Sequence, residues 1–242
     1  MVEPLDILYQ DDWLVAIDKP AGHLVHPASE PKEGDLVAMK LLRDQIGKRV
    51  YPIHRLDRPT SGVLLFGLEK GAARKLHKAL AAHDFDKLYW AVIQGKAPAG
   101  QWQCHEPIQK GDRPPGREAH TSFRVLESRR PETLASVAGQ FGGDGDVITL
   151  IEAIPHTGRF HQIRRHLLHA GRPIVGDYRY AGIETSDRLG GLLETGTRML
   201  LQAKSLTLAH PVSGEILTLD APVGGDIGKC FPSLAGAAVE SE

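Results

Sequence analysis

Hydrophobic and polar positions first sort into a hairpin: apolar Ile7-Leu8-Tyr9, a polar turn at Gln10-Asp11-Asp12, then Trp13-Leu14-Val15-Ala16-Ile17. Lys19-Pro20-Ala21-Gly22 ends the second strand with turn chemistry. Val37, Leu41 and Leu42 predict a short helix, with Asp35 as N-cap and Gly47 as its stop. A continuous apolar run within 62–68 predicts a buried strand. Ala73, Leu76 and Leu80, three and four residues apart, predict a helix over 70–83, and 87–94 returns as a strand.

Gly, Pro and charge dominate 95–116, which reads as a hairpin and loop with a turn at Pro114-Pro115-Gly116. Strand-like runs follow at 120–126, 134–140 and 147–154, with 139–145 as a loop before the last. Thr157 is the expected cap of a helix that ends at Gly171, with Pro173 just beyond it. The Gly-rich stretch 181–196 carries little pattern. The closing strands are predicted at 199–209 and 215–219, joined through His210-Pro211-Val212-Ser213-Gly214. Strands outnumber helices and connections are hairpin-sized. The expected class is therefore α+β, a mixed, largely antiparallel sheet with a few flanking helices, in a single domain without repeat or linker.

Composition adds modest constraints. The 242 residues are 41% hydrophobic and 24% charged, ordinary for a globular protein with a sizeable core. No apolar run reaches the roughly 20 residues of a membrane helix, and no signal-type segment is apparent, so a cytoplasmic protein is expected. Cys104 and Cys230 stand far apart, which suggests neither a disulfide framework nor a zinc knuckle. The net charge of −1 argues weakly against a nucleic-acid partner, yet its distribution is uneven. Lys70, Arg74 and Lys78 share a predicted helix face. Lys110, Arg113, Arg117, Arg124, Arg129 and Arg130 make a second basic stretch, and Arg159, Arg164, Arg165 and Arg172 a third. Segregated cations of this kind can bind phosphates, although a single charge run is more often just a solvated face.

The candidate chemistry lies in His54-Arg55-Leu56-Asp57-Arg58-Pro59-Thr60-Ser61-Gly62, where one carboxylate sits between two guanidinium groups at a strand-to-turn junction. Neighbouring positive charge favours the ionised carboxylate, available as base or nucleophile. The alternative is an Asx-type turn residue salt-bridged to its neighbours. Tyr89 and Trp90 point to opposite sides of their strand, so only one of them can face a cleft. Arg164 falls beside the apolar stripe of Phe160, Ile163 and Leu167, at the edge of a core or simply in solvent. Four histidines, His156, His161, His166 and His169, lack the acidic or thiol companions and the spacing of a metal site.

The stretch from His54 to Gly62 resembles the signature of the RluA-type pseudouridine synthases. Lys87-Leu88-Tyr89-Trp90-Ala91 is similar to that family's second motif, and Thr157-Gly158-Arg159-Phe160-His161-Gln162-Ile163-Arg164 to its third. The resemblance runs from about Ile7 to about Ala221. It implies the pseudouridine synthase catalytic fold with a central RNA-binding cleft, and an isomerase that needs no cofactor. It also implies the site residues: Asp57 as the catalytic carboxylate, Tyr89 packed on the target base, Arg164 paired with Asp57, and Arg55 filling the space of the flipped base. Within the family, Tyr9-Gln10-Asp11-Asp12-Trp13-Leu14-Val15-Ala16, Leu42-Arg43-Asp44-Gln45-Ile46-Gly47 and the Arg58-Pro59 variant of the signature look most like the branch that modifies uridine sixty-five of tRNA. The implied partner is RNA, tRNA first and ribosomal RNA second, bound by a monomer away from membranes. Since the first hairpin starts at Ile7, no N-terminal S4-type RNA-binding domain is expected. Two other readings compete: an idle RNA-binding module, which would tolerate loss of Asp57, and an Asp-nucleophile hydrolase, which would need a magnesium-binding carboxylate cluster beside Asp57 instead of arginines.

Overall fold

A computed structural model of the chain describes residues 3–30, 32–110, 113–136 and 144–236. In chain order the elements are β1 (Asp6–Gln10), β2 (Leu14–Lys19), α1 (Ala38–Ile46), β3 (Tyr51–Pro52), β4 (Ser61–Gly67), α2 (Lys70–Ala81) and β5 (Asp86–Gln94). They continue with β6 (Gln101–Cys104), β7 (Ile108–Lys110), β8 (Arg113–Arg117), β9 (Thr121–Arg129), α3 (Glu132–Ala135), β10 (Ile148–Pro155) and α4 (Gln162–His169). The last are α5 (Ile183–Leu192), β11 (Leu201–Ala209), β12 (Ile216–Asp220), α6 (Gly225–Cys230) and α7 (Ser233–Gly236). This is the expected mixed, mostly antiparallel architecture. The chain forms two compact units, one of residues up to Lys87 with Gln202–Pro222, the other of Leu88–Leu201 with the residues from Val223 on.

In the first unit β2 lies antiparallel between β1 and β4, and β12 is antiparallel to β11. The exception is a parallel pairing of β11 with β4, Gln202 opposite Ser61 and Ala203 opposite Gly62. All seven residues of β4 are buried, which explains its unbroken apolar run. Leu14, Ala16, Val63 and Leu65 meet Ala73 and Leu76 of α2 and Leu206 and Leu208 of β11 in one core. Gly62 is required where β4 starts. Its φ is +104°, and a Cβ there would lie 2.1 Å from the Ala203 carbonyl oxygen, so no side chain fits the parallel pairing.

The second unit is an antiparallel sheet in the order β5-β10-β9-β6, with β7 and β8 as a separate two-stranded ribbon. Alternation along β5 and β10 gives the sheet two apolar faces. Ala91, Ile151 and Ala153 pack with Ile163 and Leu167 of α4, whereas Val92, Ile148 and Leu150 pack with Leu189 of α5 and Ile227 of α6.

Several local expectations change. Asp35 does not cap α1. Its carboxylate accepts from the Lys32 N–H at 2.9 Å and binds Arg58, while the first N–H groups of α1 donate to the Leu24 and Val25 carbonyls at 2.8 and 3.3 Å. Gly47 does end that helix, at φ +64°. Residues 134 and 135, expected in a strand, belong to the short α3 that follows Pro131, with Leu134 fully buried; residues 137–143 lie outside the described set. Thr157 does not begin a helix, because α4 starts only at Gln162 after His161 takes a left-handed φ of 55°. The unpatterned stretch 181–196 contains α5. Its pattern is hidden because Gly190 packs so closely that a Cβ would sit 2.0 Å from the Gly196 carbonyl oxygen, putting a small residue where an apolar one would have signalled burial.

Candidate active site

The Asp57 segment is a turn between Ile53 and β4, held from several directions. The Thr60 N–H donates to the Asp57 carbonyl at 3.0 Å and closes it. Leu56 is buried beneath, Asp57 is half-buried and Arg55 is exposed. Arg58 is not simply a flanking charge for Asp57. Its Nε donates to the Gly22 carbonyl at 2.9 Å and its Nη1 meets the Asp35 carboxylate at 3.0 Å, which ties the turn to the loop after β2.

Lys19 anchors the same loop from below. It is fully buried, and its Nζ donates to the carbonyls of Pro20, His23 and Arg58 at 2.7, 3.0 and 3.3 Å. A buried ammonium demands such oxygen partners, and together they tie the loop after β2 to the residue that follows Asp57. Sequence reasoning missed this role. The available signal was a lysine ending an apolar strand immediately before Pro20-Ala21-Gly22.

His54 supports the turn through its ring. Nε2 accepts the Leu65 N–H at 3.1 Å, so this nitrogen must be unprotonated. Burial, with a smaller push from the Lys87 ammonium and against a hydrogen bond to the Arg55 backbone, brings the His54 pKa from 6.5 to about 4. Between those values the unfolded chain holds a proton that the folded chain refuses. The stabilisation is therefore complete above pH 6.5 and declines as pH falls toward about 4. At about 1.4 kcal/mol per pH unit, His54 alone should account for a loss of about 3 kcal/mol across that window. Urea unfolding at stepped pH, with the His54 ring followed by NMR, checks it: a ring titrating near 6.5 would dismiss the account.

In the second unit, Tyr89 of β5 stands opposite Ala153 and is half-buried against the cluster containing Ala91, Ile151 and Ile163, while Trp90 joins the cluster on the other face. Arg164 is 5% exposed, buried rather than solvated. Its Nε and Nη2 donate to the two carboxylate oxygens of Asp177 at 2.7 and 2.8 Å, a bidentate pair, and its guanidinium lies 5.0 Å over the Tyr180 ring. Asp177 is 1% exposed and also accepts from the Arg179 and Tyr180 N–H groups. It escaped sequence reasoning because nothing in local spacing links a loop residue after Gly176 to a helix thirteen positions earlier.

Gln162 sets the start of α4. Its Oε1 accepts from the Thr157 hydroxyl and the Arg159 N–H, and its Nε2 donates to the His120 carbonyl and the Thr121 hydroxyl, binding the helix to β9. The four histidines of this region go separate ways. His156 stacks on His120 and bonds Ser122, His161 bonds the Tyr180 hydroxyl, and His166 bonds Thr121 and the Glu106 carbonyl. His169 comes within 3.9 Å of Glu106. Among the described residues no three His, Cys, Asp or Glu side chains are grouped as a metal site.

The basic stretches also differ. Lys70, Arg74 and Lys78 lie exposed along α2, outside any ion pair among the described residues. In the second stretch Arg124 pairs with Glu152, Arg130 with Asp146, and Arg129 donates to the Cys230 carbonyl. In the third, Arg159 and Arg165 donate to the carbonyls of Glu118 and Gln109, and Arg172 pairs with Asp144. Many of these cations are spent inside the fold.

The turn with its carboxylate, the strand with its half-buried tyrosine and the helix with its buried arginine are the three segments that carry the motifs of the family resemblance. The sequence profile of the RNA pseudouridylate synthases matches residues 13–169. The chain belongs to this family and is an RNA pseudouridine synthase. Among its relatives, the tRNA pseudouridine synthase C of Salmonella typhi is 36% identical over 230 residues, covering 90% of this chain and 85% of that protein. The protein of the same name from Haemophilus ducreyi is 38% identical over 229 residues, covering 90% of each. The solved structure of human RNA Pseudouridylate Synthase Domain Containing 1 matches with a TM-score of 0.73 at 22% identity, over 99% of this chain and 96% of that one. Human RNA Pseudouridylate Synthase Domain Containing 4 gives 0.71 at 23%, over 95% and 93%. At these identities the two human structures speak for the fold. No helix among the described residues is long and apolar enough to cross a membrane.

Proposed function

We propose that this pseudouridine synthase acts on tRNA, isomerising uridine sixty-five, with Asp57 as the essential catalytic carboxylate. The substrate reading rests on one observation: relatives matched along 85–90% of their length at 36–38% identity carry the name tRNA pseudouridine synthase C. The chain acts as one catalytic domain, as a monomer in the cytoplasm.

The reaction breaks the bond from C1′ of the ribose to N1 of uracil, turns the base over and joins C1′ to C5. Nothing is oxidised or reduced, so no co-reactant is needed. A carboxylate suffices, by adding to the sugar or base or by removing the C2′ proton so that a glycal forms. Each route requires an ionised Asp57 beside a nucleotide that has left the RNA stack. Tyr89 is the platform for that base, Arg55 takes the place it vacates, and Arg164 is the charge partner of the catalytic carboxylate. The bidentate hold of Asp177 on Arg164 and the anchoring of the Asp57 turn by Lys19 and Arg58 supply the rigidity such a site needs.

Mapping of pseudouridine in unmodified tRNA and ribosomal RNA incubated with the purified protein tests this reading. Conversion at uridine sixty-five of tRNA is expected; conversion confined to ribosomal RNA would transfer the substrate assignment. The exposed α2 face offers a second check. Lys70, Arg74 and Lys78 replaced together by Gln should weaken tRNA binding and flatten its log–log salt dependence by roughly 0.7–0.9 for each phosphate that is no longer neutralised. An unchanged slope would put α2 outside the RNA footprint.

A further inference from the structure

Phe160 sits in the middle of the third motif, yet it faces outward with 51% of its surface exposed. One side of its ring is occupied by His161, stacked at 3.7 Å between centroids and 21° between planes. His161 is fixed in turn: its backbone holds φ 55°, and its Nδ1 is hydrogen-bonded to the Tyr180 hydroxyl at 3.0 Å. Arg179 completes the patch, with its guanidinium carbon 5.9 Å from the Phe160 and Tyr180 ring centroids. It is exposed and in no ion pair among the described residues. Tyr180 also carries the guanidinium of Arg164 at 5.0 Å.

We propose that Phe160 and Arg179 form a nucleotide subsite, in which the Phe160 ring stacks on an unpaired base of the bound RNA and Arg179 meets the adjoining phosphate. The inference rests on the tRNA reading above and adds a point of attachment to it. An aromatic ring already backed by a second ring is rigid and costs little to order, and a cation at its rim selects for a base carrying a phosphate. A wholly apolar partner would have to cover Arg179, an expensive desolvation. Sequence-tolerant stacking beside a cation is the general means of gripping single-stranded RNA. The subsite joins Arg164 through Tyr180, so a base seated on Phe160 is anchored to the same rigid loop as the proposed charge partner of Asp57.

The test compares Phe160→Leu, Phe160→Tyr and Arg179→Gln with the wild-type protein, using unmodified tRNA in equilibrium binding and in pseudouridine formation. Phe160→Leu keeps bulk and loses the aromatic face, so affinity should fall by about tenfold, read as a rise in KM rather than a fall in kcat. Phe160→Tyr should bind within about twofold of wild type, since the stacking face is kept. Arg179→Gln should lower the salt slope of binding by about 0.7, one phosphate of a single strand. Thermal melting accompanies each variant. Should Phe160→Leu fail to fold, the salt slope of Arg179→Gln decides, and an unchanged slope overturns the subsite. A wild-type protein that forms no pseudouridine in tRNA would defeat the tRNA reading. Wild-type activity on tRNA with unaltered affinity in a folded Phe160→Leu would defeat the subsite alone, and would assign the patch to a partner other than RNA.

Discussion

Asp57→Asn should lower pseudouridine formation by about 10⁴-fold while leaving the melting temperature and tRNA affinity close to wild type. The amide keeps the shape of the carboxylate but can neither add to carbon nor take a proton, and acid–base or covalent roles of this kind are worth about 10²–10⁴-fold or more. The turn has other supports: it is closed through the Asp57 carbonyl and held by Lys19, Arg58 and the His54 ring. Release of tritium from C5-labelled uridine in a single turnover measures the chemistry apart from product release. Turnover by Asp57→Asn above the level of deamidated protein would remove Asp57 from the centre of the mechanism.

The second large effect is expected in stability as well as rate. Arg164→Met leaves the Asp177 carboxylate, 1% exposed, without the cation that makes two hydrogen bonds to it. Breaking one side of a buried ion pair costs about 3–5 kcal/mol, a large part of the stability of an ordinary domain. Urea unfolding should show this loss directly. Activity loss in the single variant therefore cannot be read alone. The double variant Arg164→Met with Asp177→Leu replaces the pair by apolar groups and should recover much of the stability, because such exchanges are often neutral or better. Activity should stay low in the double variant if Arg164 serves the catalytic carboxylate. Recovery of both would confine Arg164 to holding the loop after Gly176.

What could be read along the chain was whatever depends on neighbours in sequence. The β1–β2 hairpin follows from alternation across a polar turn, β4 from an unbroken apolar run, and the end of α1 from a glycine free to take positive φ. The family resemblance lay in three contiguous motifs and was legible for the same reason, since each is a run of adjacent residues whose types the chemistry requires. Where a helix or cap owes its form to distant atoms, reading failed. The N-terminus of α1 is satisfied by the Leu24 and Val25 carbonyls instead of Asp35, and α5 packs through a glycine that carries no hydrophobic signal.

The sequence by itself thus determined the family, the sheet-rich class and the residue types at the candidate site. Only the tertiary structure decided what those side chains are bonded to. The Lys19 ammonium meets the carbonyl of Arg58, 39 positions away, the Leu65 amide finds the His54 ring, and the buried carboxylate opposite Arg164 is Asp177. A buried charge must find its counter-charge or oxygen partners wherever the folded backbone brings them, and sequence spacing carries no record of that distance. Net charge fails for a related reason: many arginines of the basic stretches are consumed by carboxylates and carbonyls within the fold, leaving the α2 face and Arg179 exposed to a polyanion.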